Sequence, residues 1–178
     1  SYSRFRDAGQ SCNAAKRIVV TEAVADRFIP LFLAECAKLQ TGDPKDPATT
    51  LAPLHREDLR ANVHAQVQDA VAHGAEVLAG GFIPEGKGWF YPATVLDKVN
   101  PNCRVWNEEV FGPVAMILRA KDEEHAIALA NDTPYGLGAS IYTANTCRAW
   151  ALAEKIQAGS VFINRHTSSD LRLPFGGV

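Results

Sequence analysis

Several features that would assign a chain to a particular class of protein are missing from this sequence. No apolar run approaches the ~20 residues of a membrane-spanning helix. The formal net charge is only −2, so no basic surface for nucleic acid or acidic lipid is predicted. No signal peptide, internal repeat, linker or low-complexity segment is visible. These absences favour a cytoplasmic protein without a nucleic-acid or membrane partner.

Cysteine is also scarce, and its spacing argues against the common cysteine-based sites. The sequence has four cysteines, and no two of them form a C-x-x-C pair. Neither a zinc site nor a disulfide framework is therefore predicted, and reduced thiols fit a cytosolic protein. We expect no bound metal. Cys36, Cys103 and Cys147 are interpreted as small buried hydrophobic side chains.

What the sequence does contain is the composition of one folded domain. Its 178 residues are 47% hydrophobic and 21% charged, which is ordinary for a globular protein. Short β-branched runs alternate with amphipathic helical patterns, which predicts an α/β domain over residues 1–178: a mainly parallel, twisted sheet with flanking helices. The predicted strands lie at 17–20, 76–79, 90–99, 114–118, 137–143 and 160–164, and the predicted helices follow Thr21, span 59–71, and begin after Asp122 and after Asn145 or Thr146.

The order of these elements carries three further expectations. Pro92, near the start of the strand at 90–99, predicts an edge strand. The last three strands, with the two helices between them, predict a βαβαβ unit in one sheet. Because ligands of open parallel sheets bind at the carboxyl ends of the strands, functional residues are expected in the loops after Ile163 and around Glu109.

The segment Gly9-Gln10-Ser11-Cys12 is the first candidate for chemistry. Residues 13–17 are predicted to form a helical turn, so that the thiol of Cys12 faces the positive end of a helix dipole. Lys16 and Arg17 add positive charge nearby. This setting favours a thiolate, and therefore a nucleophile, although an isolated cysteine is more often a buried hydrophobic residue.

The segment Glu108–Val114, with the sequence EEVFGPV, is the second candidate. One interpretation is a solvated acidic turn ahead of a core strand. The other is a carboxylate that accepts hydrogen bonds from sugar hydroxyls, beside an aromatic ring that packs on a flat ligand. Spacing alone leaves both open.

Two glycine-containing segments complete the set. Residues 173–178 read LPFGGV, where glycines permit close backbone approach and Phe175 supplies an apolar wall. Taken alone, this segment is only a turn. Residues 131–138 read NDTPYGLG, which we interpret as a structural helix stop followed by a turn.

Together the four segments resemble the aldehyde dehydrogenase superfamily over essentially the whole chain. One such motif would be weak evidence, but four in the family's order and approximate spacing are specific. The stretches GQSCNAAKR and SSDLRLPFGGV look most like the bacterial succinate-semialdehyde dehydrogenase subgroup.

The resemblance implies a role for several residues. Cys12 would be the nucleophile that attacks the aldehyde carbon, with the oxyanion held by its own backbone N–H. Hydride would pass to NAD or NADP, and water would hydrolyse the resulting thioester. Glu109 would bind the nicotinamide ribose, Phe111 would lie near the nicotinamide, and Phe175 would form a wall of the aldehyde tunnel.

The resemblance also implies a substrate. Arg6, six residues before Cys12, stands where succinate-semialdehyde enzymes place an arginine that pairs with the substrate carboxylate. Ser169, or its neighbour Ser168, would donate a further hydrogen bond. Other residues are given lesser roles: Arg165 and Arg172 as alternative cations, His166 as a loop residue, and Asn131 and Asn164 as supports of backbone geometry.

The family pattern includes parts that this sequence does not contain. The resemblance implies a dinucleotide-binding domain before the cysteine and a C-terminal oligomerisation tail, so residues 1–178 would be the catalytic, thiol-bearing domain of a larger homo-oligomeric enzyme. Alone, this domain is expected to be inactive. Two alternatives stay open: an acylating dehydrogenase that transfers its acyl group to coenzyme A, and a non-catalytic α/β module.

Overall fold

Helices and strands are interspersed along the whole chain. A computed structural model describes residues 1–178. The short helix α1 (Tyr2–Phe5) and a 3-10 helix (Arg6–Gly9) are followed by β1 (Arg17–Thr21), α2 (Glu22–Cys36), α3 (Glu57–Ala72), β2 (Glu76–Ala79), β3 (Thr94–Asp97), α4 (Arg104–Asn107), β4 (Val114–Ala120), α5 (Glu123–Asn131), β5 (Ala139–Ile141), α6 (Thr146–Ala153) and β6 (Val161–Ile163).

Four of the strands form the main sheet, in the order β1-β4-β3-β2. Strand β4 pairs in parallel with β1 and β3, and β2 is antiparallel to β3. The apolar run that begins at Val114 predicts a strand buried on both faces, and every residue of β4 except Arg119 is buried. The prediction of an α/β fold with a mainly parallel sheet and flanking helices is confirmed.

Two predictions about strand pairing are wrong. Strand β3 is internal rather than an edge, because Pro92 lies two residues before the strand begins and costs it no ladder hydrogen bond. Strands β5 and β6 pair in parallel as a separate two-stranded sheet instead of joining β4 in a βαβαβ unit. They have no place beside β4, because β1 and β3 occupy both of its edges.

The core cluster combines the buried residues of β3 and β4 with those of the helices α2 and α3. Helix α2 buries residues spaced three and four apart, namely Ala25, Ile29, Phe32 and Cys36. The apolar spacing predicts a face that includes Val24 and Leu31, but these side chains are 44% and 69% exposed. The core cluster ends at Leu118, and after Ala120 the one buried residue is Ala149.

Two asparagines fix backbone turns near β5 and β6. Asn131 donates to the carbonyl oxygen of Lys155 (2.8 Å) and accepts from the amide of Gln157 (2.9 Å). Asn164 has a left-handed φ of 53°. Its side chain accepts a hydrogen bond from the amide of Thr143 and donates one to the carbonyl oxygen of the same residue, each at 2.9 Å. The prediction that both side chains support backbone geometry is confirmed. None of the helices combines the length and apolar composition needed to cross a bilayer.

Candidate active site

A buried arginine joins the two segments that the sequence singled out. Arg4 is 1% exposed, and its Nη2 donates to the carbonyl oxygens of Gly9 (2.7 Å) and Gly112 (2.8 Å). Burial lowers the pKa of Arg4 to about 10, and the nearby charge of Glu109 opposes that shift. The 3-10 helix that leads to Cys12 is thereby fixed against the loop that carries Glu109.

The close approach at this joint requires glycine. A Cβ added to Gly9 would lie 2.1 Å from the carbonyl oxygen of Gly112 and 2.3 Å from Nη2 of Arg4. Gly9 also has a left-handed φ of 71°, and the two residues before it, Asp7 and Ala8, have φ values of 54° and 52°. A left-handed conformation costs a non-glycine residue about 1–2 kcal/mol, so the surrounding contacts must hold this turn in place.

Cys12 lies in an exposed turn and not at the start of a helix. The amide of Ala14 donates to the carbonyl of Ser11 (3.1 Å), Ser11 Oγ donates to Asn13 Oδ1 (2.6 Å), and the chain then extends into β1. The predicted helical turn at 13–17 is wrong, because the short polar side chains bond each other and close a tight turn instead. The backbone N–H of Cys12 donates no hydrogen bond within the chain.

The two basic residues after Cys12 have different surroundings. Arg17 donates to the carbonyls of Trp106 (2.7 Å) and Leu129 (2.8 Å) and stacks over the Trp106 ring, so its role is structural. Lys16 Nζ lies 3.1 Å from Glu109 Oε1 and 3.5 Å from the carbonyl oxygen of Cys12. Burial lowers the pKa of Lys16, while hydrogen bonding to Glu109 opposes the shift.

The two adjacent acids also differ. Glu108 is paired with Arg104 (2.9 Å), which lowers the pKa of its carboxyl group. Glu109 faces the Cys12 turn, and its side chain is 40% exposed. Gln66 donates to the carbonyl oxygen of Glu109 (3.2 Å) and so fixes the backbone there. An accessible carboxylate two residues from the half-buried ring of Phe111 fits a ligand with vicinal hydroxyls and a flat ring.

A small cavity lies beside the Cys12 turn. Arg6 lines it and is paired with Asp7 (3.0 Å), an ion pair that raises the pKa of Arg6. His166, interpreted as a loop residue, lines the cavity with its ring edge-on to that of Tyr2, at a centroid distance of 5.3 Å. The other lining residues are Ser3, Ser11, Asn13, Ala14 and Thr167.

The remaining predicted substrate residues lie outside this lining. Ser169 is exposed, whereas Ser168 Oγ is buried without a hydrogen-bond partner. Phe175 is 54% exposed and belongs to the C-terminal segment that packs on Gly136 and Gly159. Of the alternative cations, Arg172 pairs with Asp170 (2.7 Å), and Arg165 is exposed.

The site has a different position on the sheet from the one predicted. Cys12 precedes β1 and Glu109 precedes β4, and these strands are parallel, so both residues lie at the amino ends of the strands. The carboxyl-end expectation is therefore wrong for Glu109. The loop after Ile163 brings His166 and Thr167 to the cavity, and a functional role for this loop stays a prediction.

The three other cysteines were predicted to be buried, and two of them are. Cys36 and Cys103 are buried, which confirms their interpretation as hydrophobic side chains. Cys147 is exposed on α6, because the face of this helix that packs inward carries Ala149. No group of three or more His, Cys, Asp or Glu side chains is placed to hold a metal ion.

Arg4 is the residue at this site that sequence reasoning missed. Its hydrogen-bond partner Gly112 is 108 positions away, so no local pattern marks it. The signal in the sequence is weak: a cation beside Phe5 and five residues before a glycine. The sequence indicates that Lys16 adds positive charge near Cys12, but the distance along the chain does not predict its ion pair with Glu109.

Comparison with known proteins places this chain in a family. The family model described as "Aldehyde dehydrogenase family" matches residues 1–178. The chain is 46% identical over 175 residues to the succinate semialdehyde dehydrogenase [NAD(P)+] Sad of Escherichia coli. This alignment covers 98% of this chain and 38% of that protein. It is 45% identical to the succinate-semialdehyde dehydrogenase [NADP(+)] of Deinococcus radiodurans, with 98% of this chain and 37% of that protein covered.

Solved structures give the same result. A succinic semialdehyde dehydrogenase from Streptococcus pyogenes, in complex with NADP+, superposes with a TM-score of 0.96 at 40% identity, over 99% of this chain and 39% of that one. The chain spans less than two fifths of the length of these relatives. The match of the family model to every residue, together with this identity, shows that the chain belongs to the aldehyde dehydrogenase family.

Proposed function

We propose that this chain supplies the catalytic thiol and part of the cofactor site of an NAD(P)-dependent aldehyde dehydrogenase. The observation that carries the proposal is the double hydrogen bond of Arg4, which fixes the Cys12 turn against the loop of Glu109 and Phe111. A nucleophile and a ribose ligand must lie close together for hydride to leave a Cys12-bound substrate. The names of the relatives support the same activity.

In the proposed reaction the Cys12 sulfur forms a bond to the aldehyde carbon, and the carbonyl oxygen becomes an oxyanion. The unpaired N–H of Cys12 is available to donate to that oxygen. When bound, NAD(P)+ supplies the acceptor for the hydride that leaves this carbon. Water then attacks the Cys12 thioester, the carbon–sulfur bond breaks, and the carboxylic acid and the free thiol are released.

Glu109 and Phe111 form the part of the cofactor site that this chain contributes. The exposed carboxylate of Glu109 would accept hydrogen bonds from the nicotinamide ribose hydroxyls, and Phe111 would pack near the nicotinamide. NAD and NADP both fit this part of the site. The groups that distinguish them belong to the dinucleotide-binding domain of the proposed full-length enzyme.

Succinate semialdehyde is the proposed substrate. Arg6 lines the cavity beside Cys12, and a guanidinium can bind the distal carboxylate of this aldehyde through two parallel hydrogen bonds. Ser169 follows the cavity residues His166 and Thr167 on the same loop and is proposed as a further donor. Phe175 is proposed as an apolar wall of the aldehyde tunnel.

The rest of the site would come from the remainder of a longer protein. We propose that residues 1–178 are its thiol-bearing domain, that a dinucleotide-binding domain and an oligomerisation tail complete a homo-oligomer, and that this chain alone turns over no aldehyde. The short coverage of the relatives supports this division.

Replacement of the thiol tests the proposal. In the full-length protein, Cys12→Ala should reduce aldehyde oxidation at least ~1,000-fold, because the covalent path is lost, while NAD(P)+ still binds. Cys147→Ala, at an exposed cysteine outside the site, is the matched control and should retain full activity. Turnover that survives in Cys12→Ala would contradict the mechanism.

The same assay separates the alternatives. Product analysis with and without coenzyme A should show the free acid in both cases. A product that forms only as a coenzyme A thioester would identify an acylating dehydrogenase. A wild-type protein that binds no nucleotide and oxidises no aldehyde would favour the non-catalytic module.

A further inference from the structure

Lys16 forms the one lysine ion pair at the candidate site, and it is shielded from solvent. Its side chain is 17% exposed, and its partner Glu109 is 40% exposed. The lysine pair at the C-terminal end of α2, Lys38 with Glu35, has side chains that are 69% and 54% exposed. Because water screens charge, the shielded pair interacts more strongly than the exposed one.

The contacts of Glu109 are unequal at its two carboxylate oxygens. Oε1 lies 3.1 Å from Lys16 Nζ, whereas Oε2 accepts no hydrogen bond within the chain. Gln66 holds the backbone carbonyl of the same residue (3.2 Å). With its backbone and one oxygen fixed, the carboxylate has one free acceptor in a defined position.

The cation at position 16 stands in an unfavourable environment. Burial and the neighbouring guanidinium of Arg4 both lower the pKa of Lys16, and Glu109 opposes them. An apolar side chain of similar length would fill the same space without the cost of a desolvated charge. The contacts that only an ammonium group can make here are those to Glu109 Oε1 and to the carbonyl oxygen of Cys12 (3.5 Å).

We infer that Lys16 is a positioning residue that holds Glu109 Oε1, so that Oε2 is presented to the ribose hydroxyls, and that ties this carboxylate to the Cys12 turn. The inference rests on the proposed function, since it assumes that Glu109 is the ribose ligand. It gives Lys16 a role in nucleotide binding that a purely structural lysine would not have.

Nucleotide binding in the full-length protein tests this role. With Cys12→Ala present to prevent turnover, the dissociation constants of NAD+ and NADP+ are measured by calorimetry. Lys16→Met should raise them about tenfold, and so should Glu109→Gln. The double variant Lys16→Met/Glu109→Gln should bind each nucleotide no more weakly than either single variant, because all three variants lack the contact between Lys16 and Glu109. Lys16→Arg, which keeps the charge, should bind within about threefold of the parent.

The matched control is Lys38→Met, which removes an exposed ion pair and should change neither dissociation constant. Lys16→Gln serves as the second neutral variant if Lys16→Met does not fold, and the urea midpoint of each variant reports its stability separately from binding. Unchanged binding in the neutral variants, or effects that multiply to about 100-fold in the double variant, would overturn the inference.

The outcomes separate the two proposals. A parent protein that binds nucleotide but is insensitive to Lys16 contradicts the Lys16 inference and leaves the proposed function intact. A parent protein that binds neither NAD+ nor NADP+ contradicts both.

Discussion

Arg4 and Arg6 are two positions apart and differ in almost every physical property. Arg4 is 1% exposed and bonds backbone carbonyls on two segments, whereas the side chain of Arg6 is half exposed and pairs with its own neighbour. The sequence marked Arg6 because the family pattern gives it a substrate role, and that role stays a prediction. Arg4 was missed because its hydrogen bonds depend on a contact across 108 positions, which spacing does not encode.

The two exposed thiols give a residue-scale prediction. Iodoacetamide at about pH 7 should alkylate Cys12 of the full-length protein at least ~10-fold faster than Cys147, because the proposed mechanism requires a reactive nucleophile at Cys12 and not at Cys147. The rates are measured by mass spectrometry of peptides. Cys147 is the matched control, since it is also exposed but lies on α6, outside the candidate site. Equal or slower labelling of Cys12 would favour the non-catalytic module.

At the scale of elements, the sequence predicted those parts whose pattern reflects local chemistry. Strand β4 followed from its apolar run, and α5 followed from Asp122, whose side chain caps the amide of His125 (2.8 Å). Two predictions of strand pairing were wrong, because the partners of a strand depend on the whole sheet and not on its local pattern. The turn after Cys12 was mistaken for a helix because alanine and lysine favour helices, whereas the Ser11–Asn13 hydrogen bond determines the outcome.

The Arg4 contacts lead to an element-scale prediction. Arg4→Met should destabilise the full-length protein by about 2–4 kcal/mol, because the carbonyls of Gly9 and Gly112 would be buried without their donor. Arg4→Lys should lose less stability than Arg4→Met, since the lysine ammonium group still donates to one of the two carbonyl oxygens. Urea-induced unfolding, followed by fluorescence, measures both changes.

Arg6→Met is the matched control for this experiment, because it removes the same charge at an exposed position on the adjoining 3-10 helix. Its urea midpoint should stay at the wild-type value. Equal midpoints for Arg4→Met and Arg6→Met would show that the two hydrogen bonds do not hold the segments together.

At the scale of the whole molecule, the core and the apolar surface are distributed unevenly. The core cluster spans positions 5 to 118. Residues from Tyr135 onward carry seven of the fifteen exposed large apolar side chains, including Trp150, Leu171 and Phe175. Composition predicted one domain of ordinary hydrophobicity, but it could not show that the last third of the chain keeps its apolar groups at the surface.

This uneven surface predicts self-association of the 178-residue chain. Static light scattering at rising protein concentration should show species larger than a monomer, because exposed apolar side chains and the edges of a two-stranded sheet attract one another. Trp150→Glu should reduce the scattering. Leu31→Glu is the matched control, because Leu31 has the same 69% exposure but lies on α2, outside the segment that begins at Tyr135. A monomer at all concentrations would contradict this prediction.

The single buried residue after Ala120 has a consequence for how the site responds to a ligand. Local opening costs least where few apolar groups are packed, so the segment with His166 and Thr167 fluctuates more easily than the core-supported turn of Cys12. The two walls of the cavity therefore differ in how firmly the rest of the chain supports them. In the proposed enzyme, the thiol would keep a fixed position while the opposite wall adjusts to aldehydes of different length.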